Sequence, residues 1–415
     1  MHRLLFSFLF VSLLSPAMAA PPLGLREAEA LWRQHSRELQ QANANVAGAA
    51  ADLKTAGQRP NPEVSLNALS ISPWSGYGAG GYKDKKMDSQ LRIDQLIERG
   101  GKRDLRLRGA TARLEAASLD LDDTARQQLG ILRHTYYNLR LAQEKLALAQ
   151  DTAKLYGQSA DAGKRRLKAG DIAPVDLSRL QIDQARADSD ARQAEADLHQ
   201  AQQALAYLIG RQAEAETLIA ADDWPTLEAQ ALAETEVALE QRPDLVAANR
   251  RLQAAEADRD LARARKKRDI TVGLQLEHNL QNAPTNSFGL GVSVPLFIWH
   301  EYEGEIARAE ADLDLARLQL AQQQAQAVGQ VAQARQTLLA ARDRLSRFEN
   351  GLRADAERVA KAAEFAYAKG AMGLIDLLDA RRTLRQIQIE TASARADYAK
   401  ALADWQTQAE FRKLP

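Results

Sequence analysis

Tyr367-Ala368-Lys369-Gly370-Ala371-Met372-Gly373-Leu374-Ile375-Asp376-Leu377-Leu378-Asp379 is the stretch that decides the fold, because it occurs twice. Its counterpart runs from Leu167 to Arg179, with Gly170, Asp176 and Leu177 standing 200 positions before Gly370, Asp376 and Leu377. In each copy an Ala-rich helical pattern arrives, a glycine permits a reversal that a Cβ would oppose, and a second helical pattern departs. Both copies read as the tips of helical hairpins. Asp176 and Asp376 fall in the first turn of the departing helix, where a carboxylate meets the positive end of the dipole.

The helix arriving at the second tip reads from Tyr302 to about Ala368, ~67 residues or roughly 100 Å at ~1.5 Å each. Its seam is a heptad: Ile306, Leu313, Leu320 and Ala327, then a four-residue step to Val331, Leu338, Leu345, Leu352, Val359 and Ala366. That step is a stutter, which locally unwinds a supercoil. The first half matches it with Leu132, Leu139, Leu146, Ala153, Ala160 and Leu167. A further helix is expected from Leu25 to Arg59, ended by Pro60 and Pro62.

Before each long helix the period changes to two. Val64 and Leu66, then Leu91 and Ile93, alternate with polar residues around a Gly- and aromatic-rich loop from Trp74 to Gly81. Ile270, Val272, Leu274 and Leu276, then Phe288, Leu290, Val292 and Val294, do the same around a turn at Asn282–Asn286. The alternation also fits a half-buried sheet on a soluble domain. The helices that follow are too long to cover four strands as a compact layer, so lipid is the expected cover for these twelve positions. The strands read slightly shorter than the ~9–11 residues of a spanning strand. Four strands cannot close a membrane barrel, for which the known range starts at about eight, so the barrel must be shared between chains.

Charge balances, 55 basic residues against 55 acidic, which argues against a nucleic-acid partner. Leu4–Leu14 with Ala17-Met18-Ala19 reads as an export signal, residues 1–19, and no later run approaches the ~20 apolar residues of a membrane helix. Cysteine is absent, so disulfides, thiolate ligands and a lipidated cysteine are not expected. The expected organisation is a first repeat at 20–210, an equatorial linker at 211–241 and a second repeat at 242–415.

Arg242-Pro243-Asp244-Leu245, Tyr367-x-x-Gly370 with Asp376 and Asp379, and the duplication with two strands in each half together resemble the TolC-like outer membrane efflux proteins. The resemblance implies a mainly α fold with a β-barrel portion: a homotrimer whose strands close one barrel in outer-membrane lipid above a periplasmic helical tube. It also implies a passive duct docked on a periplasmic adaptor and an inner-membrane pump of the RND type. Gln95-Leu96-Ile97-Glu98-Arg99-Gly100-Gly101-Lys102-Arg103 and Tyr136-Tyr137 are similar to the cobalt-zinc-cadmium exporter branch, although His300 and Glu301 replace the glycine pair in the second half. Multidrug efflux, type I secretion and, in a different class, a soluble coiled-coil adaptor are the competing readings.

Carried over residue by residue, the resemblance makes Asp376 and Asp379 a periplasmic constriction ring, for which helix capping is the simpler account. Asp176 and Tyr367 become tip-gating residues, with Met372 where some relatives place an arginine. Leu167, Gly170, Asp171, Gly370 and Gly373 are the expected adaptor contacts. Six histidines lack ligand spacing, and no nucleophile triad or phosphate loop stands out, so no metal site, cofactor or catalytic residue is expected.

Overall fold

The computed structural model describes residues 22–71, 74, 78–81, 87–227, 239–279 and 285–409. The export segment, residues 75–77 of the loop at Trp74–Gly81, the turn at 282–284, residues 228–238 of the linker and the last residues lie outside that range. The elements run α1 (Leu25–His35), α2 (Arg37–Gly57), β1 (Glu63–Leu69), β2 (Asp88–Ile97), α3 (Lys102–Ala169), α4 (Pro174–Ile209), α5 (Pro243–Ala264), β3 (Ile270–Asn279), β4 (Thr285–Ser293), α6 (Glu303–Arg347), α7 (Arg353–Ala368) and α8 (Leu374–Ala409). By contacts the chain divides into two units, and each draws segments from both halves of the sequence.

The unit of Arg37–Gln127, Thr235–Gln333 and Gln408–Pro415 contains one antiparallel sheet in the order β1-β2-β3-β4. Strands β2, β3 and β4 have 10, 10 and 9 residues, longer than expected, and only β1 is short at 7. Backbone pairing explains the difference, since Gln95–Ile97 continue to pair with Ile270–Val272 after the apolar alternation of β2 has ended. Val294 corrects the other way: it comes just after the last residue of β4, and Pro295 has no N–H to extend the ladder.

The junction between β2 and α3 is built on an ion pair between the buried Lys102 and the half-buried Asp269. Lys102 Nζ donates to Asp269 and to the Lys267 carbonyl at 2.8 Å, while the Arg99 N–H donates to the same carboxylate. Gly100 and Gly101 take φ of +81° and +70° to make this turn. In the second half Tyr302 occupies the left-handed region at +62°, with the Phe297 and His300 rings packed against it. Arg242 is buried, donating to Asp244 at 2.9 Å and to Gln330.

In the unit of Met1–Ser36, Gln128–Glu234 and Ala334–Thr407, Leu132, Leu139 and Ala160 of the expected seam are buried. The C-terminal half of α8 is buried nearly all round, as small residues such as Ala392, Ala396, Ala399 and Ala403 allow. Two expectations fail in instructive ways. The helix expected from Leu25 breaks at Ser36, whose extended ψ of 121° redirects the chain just after the fully buried Trp32. The long second-half helix is interrupted at Phe348–Leu352 by a π-turn. A π-turn adds one residue, so the buried stripe beyond it moves by one: Ala356, Ala360 and Ala363 are buried, while Leu352 and Val359 of the expected seam are exposed.

Tyr136 anchors the N-terminal segment. Its hydroxyl donates to the Leu23 carbonyl at 3.0 Å and accepts from the Asp222 N–H at 3.1 Å, while Leu23 pairs in parallel with Ala220. Burial pushes the Tyr136 phenol up to about 12 and raises Tyr137 and Tyr156 as well. The unfolded chain ionises its tyrosines near pH 10, so folded stability is complete below that pH and is lost as pH rises toward 12. In alkaline unfolding followed by circular dichroism, Tyr136→Phe is expected to be less stable at neutral pH yet to show a shallower decline over that window.

Candidate functional site

The two tips are built alike. Gly170 and Gly370 take φ of +82° and +75°, and each closes its helix with a paired hydrogen-bond motif. The Gly170 N–H donates to Leu167 O and the Asp171 N–H to Arg166 O; the Gly370 N–H donates to Tyr367 O and the Ala371 N–H to Ala366 O, all at 2.9 to 3.0 Å. These bonds satisfy the last carbonyls of α3 and α7. Pro174 then opens α4 at a position that needs no N–H.

Around these turns the expected residues separate. Asp376 and Asp379 are both exposed in the first turns of α8, and the Asp376 carboxylate folds back toward Gly373. Leu167, Tyr367 and Met372 are half-buried, whereas Gly170, Asp171, Gly370 and Gly373 are exposed. Within the chain Asp176 does not meet Tyr367. It lies 3.7 Å from Arg179 on its own helix, and the Tyr367 hydroxyl instead accepts from Arg166 Nη1 at 2.7 Å, with the guanidinium 5.2 Å from the ring centroid.

Arg166 belongs to a set of arginines that the sequence pattern did not single out. On α8, Arg381 donates to Ser159 at 2.9 Å and pairs with Glu364 at 3.0 Å. Arg382 grips the buried Asp183 through two bonds of 2.8 and 2.9 Å, and Arg385 reaches Asp190 at 2.5 Å. The Asp183 contact holds the Arg382 guanidinium above its ordinary range. The repeat offset contained the signal: Gln181, Ile182 and Ala185 of α4 stand where α8 has Arg381, Arg382 and Arg385. At these three positions the two copies of the departing helix have diverged.

The sheet presents the second candidate surface. Register places Val64, Ile93, Leu274 and Leu290 in one row and Leu66, Leu91, Leu276 and Phe288 in the next, with Val272 beside Val292 on the same face. These residues are 40 to 79% exposed, and Ile270 at the start of β3 is half-buried. The opposite face carries Ser65, Asn67, Gln90, Arg92, Asp94, Gln275 and Glu277. No helix among the described residues is long and apolar enough to cross a membrane. Among the described residues no group of three or more His, Asp or Glu side chains is placed to hold a metal ion.

A duplicated chain with helical tips and a sheet whose apolar face is bare has the features of an outer-membrane duct. The outer membrane efflux protein family matches residues 30–211 and 235–406, and the chain belongs to it. It is therefore an outer-membrane efflux channel, as the tip motif and Arg242–Leu245 indicated. Over 376 residues it is 27% identical to the cobalt-zinc-cadmium resistance protein CzcC of Cupriavidus metallidurans, spanning 90% of this chain and 87% of that one. Its fold is similar to the outer-membrane channel OprN, with a TM-score of 0.79 and 22% identity over 94% of this chain and 91% of that one. It is similar also to the outer membrane protein VceC of Vibrio cholerae, with a TM-score of 0.75 and 19% identity over 93% and 96%.

An added Cβ at Gly370 would meet no atom within 4 Å, so only backbone strain opposes a side chain there. Gly370→Ala is expected to cost about 1–2 kcal/mol locally. Gly370→Asn should cost less, because Asn tolerates the left-handed region. Hydrogen exchange at the tip amides should rank the variants in the order Ala, Asn, wild type, fastest first.

Proposed function

We propose that three copies of this chain, four strands each, close a twelve-stranded barrel in the outer membrane and form a passive exit duct for divalent heavy-metal cations. The bare apolar face of the sheet carries the reading. Its rows of apolar side chains are 40 to 79% exposed, and among the described residues β1 and β4 are the edges of the sheet. In lipid that face needs no other cover, and pairing β1 of one copy with β4 of the next removes the edges. The two halves at 20–210 and 242–415 would then each supply a strand pair and a hairpin, joined by the linker at 211–241.

The named function of the relative CzcC supports metal cations as the cargo. Energy comes from an inner-membrane RND pump through a periplasmic adaptor, since a duct of this kind supplies no chemistry of its own. The adaptor meets Leu167, Gly170, Asp171, Gly370 and Gly373, where exposed turns leave small residues at the surface. Asp376 and Asp379 from three copies gather carboxylates in the tip mouth and favour cations through their summed field. Asp176, Tyr367 and Met372 set how readily the tips part, and Arg166, through its bond to Tyr367, belongs with them.

A deletion strain should become sensitive to zinc, cadmium and cobalt and be restored by the wild-type chain. Sensitivity to antibiotics alone would defeat the metal assignment. In planar bilayers the Asp376→Asn, Asp379→Asn double variant should conduct with reduced cation preference and weaker block by multivalent cations; an unchanged preference would remove the aspartate ring from the account.

A further inference from the structure

The polar face of the sheet contains one arginine and a floor made to receive it. Among the strand residues Arg92 is the only Lys or Arg, while Glu63, Asp88, Asp94 and Glu277 share its face. Arg92 Nε donates to both oxygens of Asp94, at 2.9 and 2.7 Å. The guanidinium does not stand away from the strands. A Cβ built on Gly273 of β3 would collide with Asp94 Oδ1 and lie 2.9 Å from Arg92 Nη2, and one built on Gly291 of β4 would lie 3.4 Å from the same nitrogen. Strand β4 is two spacings from β2, about 9–10 Å, so the arginine lies across β3 along the sheet.

Glycine weakens a strand and marks close approach by another group. Here Gly273, Gly289 and Gly291 occupy neighbouring positions on one face: Gly273 pairs with Gly291 and Gln275 with Gly289. Gln275 lies over Gly289 as Arg92 lies over Gly273 and Gly291, with the site of a Gly289 Cβ 3.1 Å from Gln275 Cγ. Gly273 is buried under the ion pair although it sits mid-strand on a sheet face.

We propose that this glycine floor, with Asp94 as its clasp, stows the Arg92 guanidinium flat against the barrel wall and so sets the charge preference of the membrane-level lumen. The inference rests on the proposed function, in which the polar face lines a closed barrel. Stowed, the cation leaves the field of the neighbouring carboxylates to dominate, and the lumen admits cations. Raised, the same three arginines of an assembled channel would narrow the passage and oppose cations.

The test uses the full-length channel in planar bilayers under a potassium chloride gradient, reading reversal potential and single-channel conductance. Gly273→Ala adds no charge but displaces the pair; it is expected to lower both conductance and the cation-to-anion permeability ratio. Adding Arg92→Gln to Gly273→Ala should restore the ratio to the wild-type value or above it, and Arg92→Gln alone should raise it. If Gly273→Ala and Arg92→Gln each conduct with the wild-type reversal potential, the stowed-arginine assignment is wrong while the channel stands. If Gly273→Ala does not assemble, Gly291→Ala and Asp94→Asn decide: a fall in the ratio for both supports the floor and clasp, and wild-type ratios overturn them. A wild-type chain that inserts without conducting would overturn the barrel reading itself.

Discussion

An unpaired backbone donor or acceptor in hydrocarbon costs several kcal/mol, and a strand at the edge of a sheet presents a row of them. Among the described residues the four-stranded sheet has two such edges, β1 and β4, and an apolar face whose side chains stay 40 to 79% exposed. Water would not tolerate that face and lipid would not tolerate those edges. Closure by further copies pairs the edges and lipid covers the face, which is why assembly and membrane insertion are coupled in the proposed function. The two faces are accordingly treated differently. One face carries rows of apolar side chains, and the other carries glycine, serine, amides and a few charged groups; in the proposed barrel the first would face lipid and the second the lumen.

Duplication supplies the strand pairs, yet the two halves have not remained equivalent. Both tips keep the left-handed glycine and the same pair of closing hydrogen bonds, because the reversal depends on backbone geometry that no other residue provides as cheaply. The departing helices differ where they meet. Arg381, Arg382 and Arg385 on α8 find Glu364, Asp183 and Asp190, whereas the corresponding α4 positions are uncharged. Asp183 is buried, and a buried carboxylate is stable only with its partner in place. The Arg382–Asp183 pair therefore fixes which faces of α4 and α8 meet, a registry that alanine-rich surfaces alone would leave loose.

Strict periods made the strands and tips legible from the residues. Alternation over β3 and β4 marked strands, and the offset between Gly170 and Gly370 marked two like turns. Lengths were less so, because the ladder at Gln95–Ile97 is held by backbone bonds that side-chain pattern does not report. The break at Ser36 was hidden because the polar and small residues on either side remain good helix formers. Arg166 was missed for another reason: its partner, Tyr367, is 201 positions away, and an arginine near a helix C-terminus already has a sufficient local explanation.

The π-turn at Phe348–Leu352 shows why an alanine-rich seam misleads. With alanine at so many positions, a heptad can be continued past residue 345 in more than one frame, and Leu352, Val359 and Ala366 are as acceptable a seam as Ala356, Ala360 and Ala363. The choice is made by contacts outside the helix. Glu349 in the turn accepts from Arg395 at 3.1 Å, Arg395 also reaches Glu144 at 3.4 Å, and Glu144 accepts from the Trp224 indole at 2.7 Å. Each residue added to a helix rotates the remainder of that helix by about 100°. The turn therefore resets which face of α7 is buried, and with it the approach of Tyr367 to Arg166. The geometry of the second tip is decided some twenty residues before the tip itself, by one inserted residue that no local period announces.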